Sequence, residues 1–245
     1  MTHRLTEANV LEVWEGGLGC TAAARSLLLA SLAAPDGEDV ADLPLSTLNR
    51  LLLELRRAAF GDLLPCTAEC PACGDSLDVT VAATELRPPS QSAAEHGAEG
   101  PAPVTATLTT GGVTVTFRAL TGGDVRAVDP AAPRARRTLL RRCVVDVSPP
   151  PVDDMPDEIL EQVAGRLARL DPGADTVLAL TCPQCACRWE AALDVADHLW
   201  AEVCGYAHRL MHEVHTLARA YGWSEADVLA ISPQRRRFYL EASAG

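Results

Sequence analysis

The sequence predicts an α+β protein in which N- and C-terminal helical parts surround a small antiparallel β-region carrying a split four-cysteine zinc ribbon. Three observations predict it. Leucines and alanines recur at helical spacing towards both ends, short alternating runs rich in Val and Thr occupy the middle, and the chain spells CPACG at residues 70–74 and CPQCA at 182–186. Apolar residues at i, i+3 and i+4 mark one face of a helix, and strict alternation marks a half-buried strand.

Residues 6–34 read as two helices broken at Gly16, Gly17 and Gly19, the second marked by Arg25, Leu28, Leu29 and Leu32 and ended by Pro35, Asp36 and Gly37. Ser46 is the expected N-cap of a third helix, with Leu48, Leu51, Leu52 and Leu55 on one face and Arg50, Glu54 and Arg57 on the other. That helix should stop near Gly61. A strand is expected in SLDVTVAATEL, directly after Cys66, Cys70 and Cys73. The segment 87–103 combines Pro, Gly, Ser and Ala without a large apolar side chain, which predicts a flexible loop. TATLTTGGVTVTFRAL predicts a hairpin turning at Gly111 and Gly112. An Arg-rich helix over 133–143 and a helix after Pro156 follow. DTVLALTCPQCACRWEAALDV reads as strand, knuckle, strand, and one long helix runs from Ala196 to about Tyr221. Ser224 with Asp227 caps a short helix, and Ser232 with Pro233 begins the last. Along the chain this divides into a helical region 1–64, a β-rich zinc-ribbon region 65–195 that includes the loop and further helices, and a helical region 196–245.

The net charge of -12 disfavours nucleic acid, because a phosphate backbone repels so acidic a chain unless its arginines are segregated onto one face. All 21 basic residues are arginine, which removes any Schiff-base or phosphate-loop lysine. The start, MTHRLTEANVLEVWEGG, lacks a continuous apolar stretch, and runs such as LLLASLAAP fall far short of a membrane span. A cytoplasmic protein is expected, away from membranes. In a reducing compartment nine cysteines, four of them in two CPxC pairs, point to metal ligation before disulfides.

Each CPxC pair reads as half of a zinc ribbon, so Cys70, Cys73, Cys182 and Cys185 are expected to share one structural Zn2+ although 108 residues separate Cys73 from Cys182. Neither pair opens a helix, which argues against a thioredoxin-like redox centre. A closed thiolate shell has no free position for water and no catalytic role. Cys66 and Cys187 flank the pairs and could substitute as ligands, but they read as small, partly buried side chains outside the shell. Ala186 stands where a knuckle favours glycine.

His208, His212 and His215 fall on one face of the long helix at i, i+4 and i+7, a spacing that could hold a metal. The metalloprotease pattern fails, since position 216 is Thr, and the stripe is expected to lie in a helix interface. Arg134, Arg136, Arg137, Arg141 and Arg142, and also Arg235, Arg236 and Arg237, are expected to pair with the chain's own or a partner's carboxylates. Asp153 and Asp154 read as an exposed loop leading into a helix. Trp200, Tyr206, Trp223 and Tyr239 suit either a core or an interface. With no phosphate loop, nucleophile elbow or dinucleotide fingerprint, no catalytic residue is assigned and the chain reads as a non-enzyme.

Three stretches, VWEGGLGCTAAARSLLLA, LTCPQCACRWEAALDVADHLWAEV and HEVHTLARAYGWSEADVLAISPQRRRFYL, together resemble the baseplate hub assembly chaperones of contractile-tailed phages and phage-derived contractile injection systems. The residues carrying the resemblance are Trp14, Glu15, Gly17, Arg25, the CPxC pairs, Trp189, His215, Tyr221, Trp223, Ser224, Glu225 and the arginines before Tyr239. Ala186, Cys66 and Cys187 depart from the family pattern. The resemblance implies a non-catalytic assembly factor or minor component of the baseplate, with baseplate or hub proteins as partners. Two further readings stay open: a zinc-ribbon adaptor for nucleic acid or a transcription complex, and a metal-dependent hydrolase using His208, His212 and His215.

Overall fold

The computed structural model describes residues 5–86, 105–150 and 155–243. The expected loop at 87–103 and the pair Asp153 and Asp154 lie outside them. The chain is mixed helix and small antiparallel sheets, as the sequence predicts. Helices α1 (Glu7–Gly17) and α2 (Ala22–Ser31) start on the side-chain caps of Thr6 and Thr21. A 3-10 turn at Val40–Asp42 leads to α3 (Leu45–Phe60), which ends at Gly61 with φ 93°. The first ribbon hairpin is β1 (Leu63–Glu69) with β2 (Ser76–Ala82).

Strands β3 (Thr105–Thr110) and β4 (Val113–Arg118) turn at Gly111 and Gly112, both with positive φ as a two-residue hairpin turn requires. The short α4 (Gly122–Arg126) and α5 (Ala135–Cys143) follow, and β5 (Val144–Ser148) adds to β4. After α6 (Asp157–Leu170) comes the second ribbon hairpin, β6 (Val177–Thr181) with β7 (Arg188–Ala192). The long α7 (Val195–Tyr221), α8 (Glu225–Ala230) and α9 (Pro233–Ser243) complete the chain.

Side-chain packing groups these elements into two cores that cut across chain order. In the larger, Val10 and Val13 of α1, Leu27 and Leu29 of α2, Leu48, Leu51, Leu52 and Leu55 of α3 and Leu199, Val203 and Leu210 of α7 bury one another. The smaller is formed by Leu108, Val115 and Phe117 of the three-stranded sheet with Leu140, Leu160 and Val163 of α5 and α6. The two are joined at Asp124 of α4, 2% exposed, whose carboxylate accepts from Arg118, Arg142 and the Thr121 amide and hydroxyl.

Two expectations are corrected. Ser46 does not cap α3: the helix starts at Leu45 after Pro44, and the Ser46 amide donates instead to Asp171, 3.2 Å away and 125 residues later. Helix α2 closes at Ser31, ahead of Pro35. Elements β1, β5 and α4 form without a separate signal in the sequence.

Close packing of α1 on α7 depends on Gly17, whose missing Cβ position is filled by the ring of Trp200. Gly17→Ala is therefore expected to force the two helices apart and destabilise the protein by roughly 1–3 kcal/mol, read as a lowered thermal midpoint.

Candidate metal centre

The two ribbon hairpins belong to separate sheets, and their closest approach is chemical. The sulfurs of Cys70, Cys73, Cys182 and Cys185 all lie within 4.8 Å of one another, the one group of three or more potential ligands so gathered among the described residues. Across the knuckles, Cys70 Sγ is 3.6 Å from Cys185 Sγ and Cys73 Sγ is 3.6 Å from Cys182 Sγ. Four sulfurs each about 2.3 Å from a tetrahedral zinc would sit about 3.8 Å apart, so these separations suit a four-thiolate shell and are far from a disulfide bond.

Each knuckle builds its half in the same way. An offset of 112 residues carries Cys70 onto Cys182, Cys73 onto Cys185, Gly74 onto Ala186 and Asp75 onto Cys187. The Cys70 amide donates to Asp75 O at 2.8 Å and the Gly74 amide to Cys70 O at 2.9 Å; Cys182 donates to Cys187 O at 2.9 Å and Ala186 to Cys182 O at 3.0 Å. Gly74 has φ 73° and Ala186 φ 58°, the one non-glycine residue with positive φ among those described. Ala186→Gly is expected to relieve that strain and raise stability by roughly 0.5–1 kcal/mol after the entropy cost of glycine, measured by denaturant unfolding of the metal-loaded protein.

The electrostatics of the four thiols call for a cation. Burial opposes ionisation at Cys70, but the amides of Ala72 and Cys73 and the thiols of Cys73 and Cys185 outweigh it and bring the group down to about 6. At Cys73 the Asp75 amide favours the thiolate, yet the neighbouring Cys185 and Cys70 push it up to about 12. One thiolate forms readily and its neighbours Cys73 and Cys185 are pushed up, because like charges this close cannot all ionise unaided. A dication at the centre removes that conflict, so the donor set suits a soft divalent metal. Cys70 and Cys182 are buried and Cys73 and Cys185 exposed, which places the site at the protein surface with one wall against the hairpins.

Cys66 and Cys187 stand outside the cluster. Burial pushes both thiols up, and Cys66 packs against the larger core. The histidines fare differently from expectation. His208, His212 and His215 share one face of α7, but all three are exposed to solvent, and only His208 touches another helix, through Trp14 of α1. Their nitrogens do not converge as a trio.

The arginines largely find the chain's own carboxylates. Arg136 pairs with Glu161, Arg137 with Asp157 and Arg142 with Asp124. Arg236, 2% exposed, bridges Glu7 of α1 at 2.5 Å and Glu213 of α7 at 3.0 Å, while Arg235 and Arg237 face solvent. Sequence reading missed Arg56, 2% exposed, which grips both oxygens of Glu202 at 3.0 and 2.7 Å and ties α3 to α7. It also missed Asp75, whose carbonyl closes the first knuckle; the 112-residue self-match was the signal that could have found it.

The aromatic residues divide. Trp200 is buried, with the Arg25 guanidinium 5.3 Å from its ring centre. Tyr206 donates to Glu7. Trp223 stacks on Tyr221 and meets Tyr239 edge-on, in a half-covered group beside Phe238, which is 65% exposed.

No helix among the described residues is long and apolar enough to cross a membrane. Neither a protein family, a curated protein nor a solved structure matches this chain.

Proposed function

We propose that the chain is a non-catalytic assembly factor or minor structural component of the baseplate, at its hub, of a contractile tail or contractile injection system, stapled by a structural zinc. The observation that carries the reading is that the three stretches resembling the baseplate family, far apart in sequence, pack as one body. Trp14 of the first meets His208, on the turn of α7 between the second and the third, edge-on with ring centres 5.5 Å apart. Gly17 makes room for Trp200 of the second, Arg25 lies over the same ring, and Arg236 of the third clasps Glu7 beside the first.

The zinc assignment rests on the donor set. Four thiolates in a tetrahedral arrangement select zinc over hard cations such as magnesium and calcium, and a shell complete with four protein ligands serves structure rather than chemistry. Baseplate or hub proteins are the proposed partners, met in the cytoplasm where such particles are built.

Deletion of the gene in the producing cell, followed by electron microscopy of particles, tests the function. Sheaths or tubes without baseplates, restored by the wild-type gene, are the expected result. Normal, contractile particles from the deletion strain would overturn the assignment.

A further inference from the structure

We infer that His208 and His212 form a second, solvent-facing transition-metal site on α7, independent of the thiolate centre and of the baseplate reading. Helix α7 runs unbroken from Val195 to Tyr221, so residues four apart stand one above the other on the same face. At that spacing two imidazoles can reach one ion, and imidazole suits zinc, nickel and copper. Both rings are exposed, and neither makes a hydrogen bond or ion pair among the described residues. The Thr216 hydroxyl donates to the backbone carbonyl of His212 at 2.9 Å and not to its ring. The donor nitrogens are therefore unspent.

His208 is also oriented from outside the helix. Trp14 of α1 meets its ring edge-on at an interplanar angle of 73°, which restricts the imidazole before a metal arrives. By contrast, His215 sits three residues from His212 and lacks such a brace. The site is thus a chelating pair with its remaining positions open to water, and the three histidines together are not the preorganised trio that a catalytic metal needs. It takes a divalent ion of the nickel, copper and zinc group, and selectivity among them follows the usual order of affinity for nitrogen donors.

The test uses the full-length, untagged protein loaded with one equivalent of zinc, so that the thiolate shell is filled. It is titrated with Ni2+ by calorimetry, and histidine ring signals are followed by NMR. One Ni2+ per chain is expected, with the His208 and His212 signals broadened first by the paramagnetic ion. His208→Ala and His212→Ala should each remove the event from the titration, while His215→Ala should leave it. All three positions are exposed, and an unchanged thermal midpoint confirms that the variants fold. No Ni2+ binding by wild type, binding unaffected by loss of His208 or His212, or equal loss with His215→Ala would each overturn the proposal.

Discussion

Cys182→Ser is expected to abolish metal loading and unfold the ribbon while most of the helical body survives. The two hairpins share no hydrogen-bonded ladder, and the inward side chains of β6 and β7 are only half-buried. Without the metal little holds them together. Apparent zinc affinities of structural sites reach about 10–16 kcal/mol, as large as the whole stability of many domains, and that contribution goes with one missing ligand. Metal content by mass spectrometry should fall from about one zinc per chain to none. Hydrogen exchange should accelerate across residues 63–82 and 177–192, and much less in α3 and α7, whose leucines are buried mostly by one another and by α1 and α2. Cys66→Ser and Cys187→Ser should keep the metal. Wild-type protein that is metal-free yet equally protected in both hairpins would remove the ribbon argument altogether.

The second large effect is expected at Arg236. Its guanidinium satisfies Glu7, Glu213 and the Ile231 carbonyl at once, and Tyr206 donates to the same Glu7 carboxylate. Arg236→Met preserves much of the volume but leaves Glu7 partly buried without its cation. Removing one partner of a buried pair costs about 3–5 kcal/mol, and since Glu213 is 35% exposed and can turn to water, the lower end of that range is expected here. Urea unfolding of the zinc-loaded variant measures it.

The same cluster sets an acid limit. Burial works against the Glu7 carboxylate, but its bonds from Arg236 and Tyr206 hold it below its ordinary 4.5; Asp124, also opposed by burial, is held below 3.8 by Arg118 and Thr121. A carboxylate depressed in the folded state stabilises above its unfolded value and loses that contribution as pH falls through the folded one. Stability from these groups should therefore hold down to about pH 4–5 and decline below it, and Arg236→Met should flatten the Glu7 part of the decline. An unchanged acid profile in the variant would show that Arg236 does not set the Glu7 equilibrium.

The sequence told most where the cause of a structure is local. Two cysteines three apart, a Gly-Gly turn between Thr-rich runs and Ser224 facing Asp227 each specify geometry within a few residues, and each is found in place. Legibility failed where the partner is distant. Ser46 looks like a cap, but the helix takes its acceptor from Asp171 across 125 residues, and nothing near position 46 announces it. Strand β5 follows α5 without a breaker, so its Val-rich run could not be told from the end of a helix; only pairing with β4 makes it a strand. The histidine stripe misled for the opposite reason. Its helical period was right, but periodicity does not say which face meets the protein, and the core takes α7 through Leu199, Val203 and Leu210.

The wide separation of the two knuckles also orders events at the ribosome. Cys70 and Cys73 leave the exit tunnel with only half a shell, and 108 residues must still be synthesised before Cys182 follows. At ordinary translation speeds the first pair waits on the order of 10 s, time in which a cellular thiol or a wrong ion can occupy it. Closure of the four-thiolate shell therefore waits on the second knuckle, and a product truncated before Cys182 carries only the first pair.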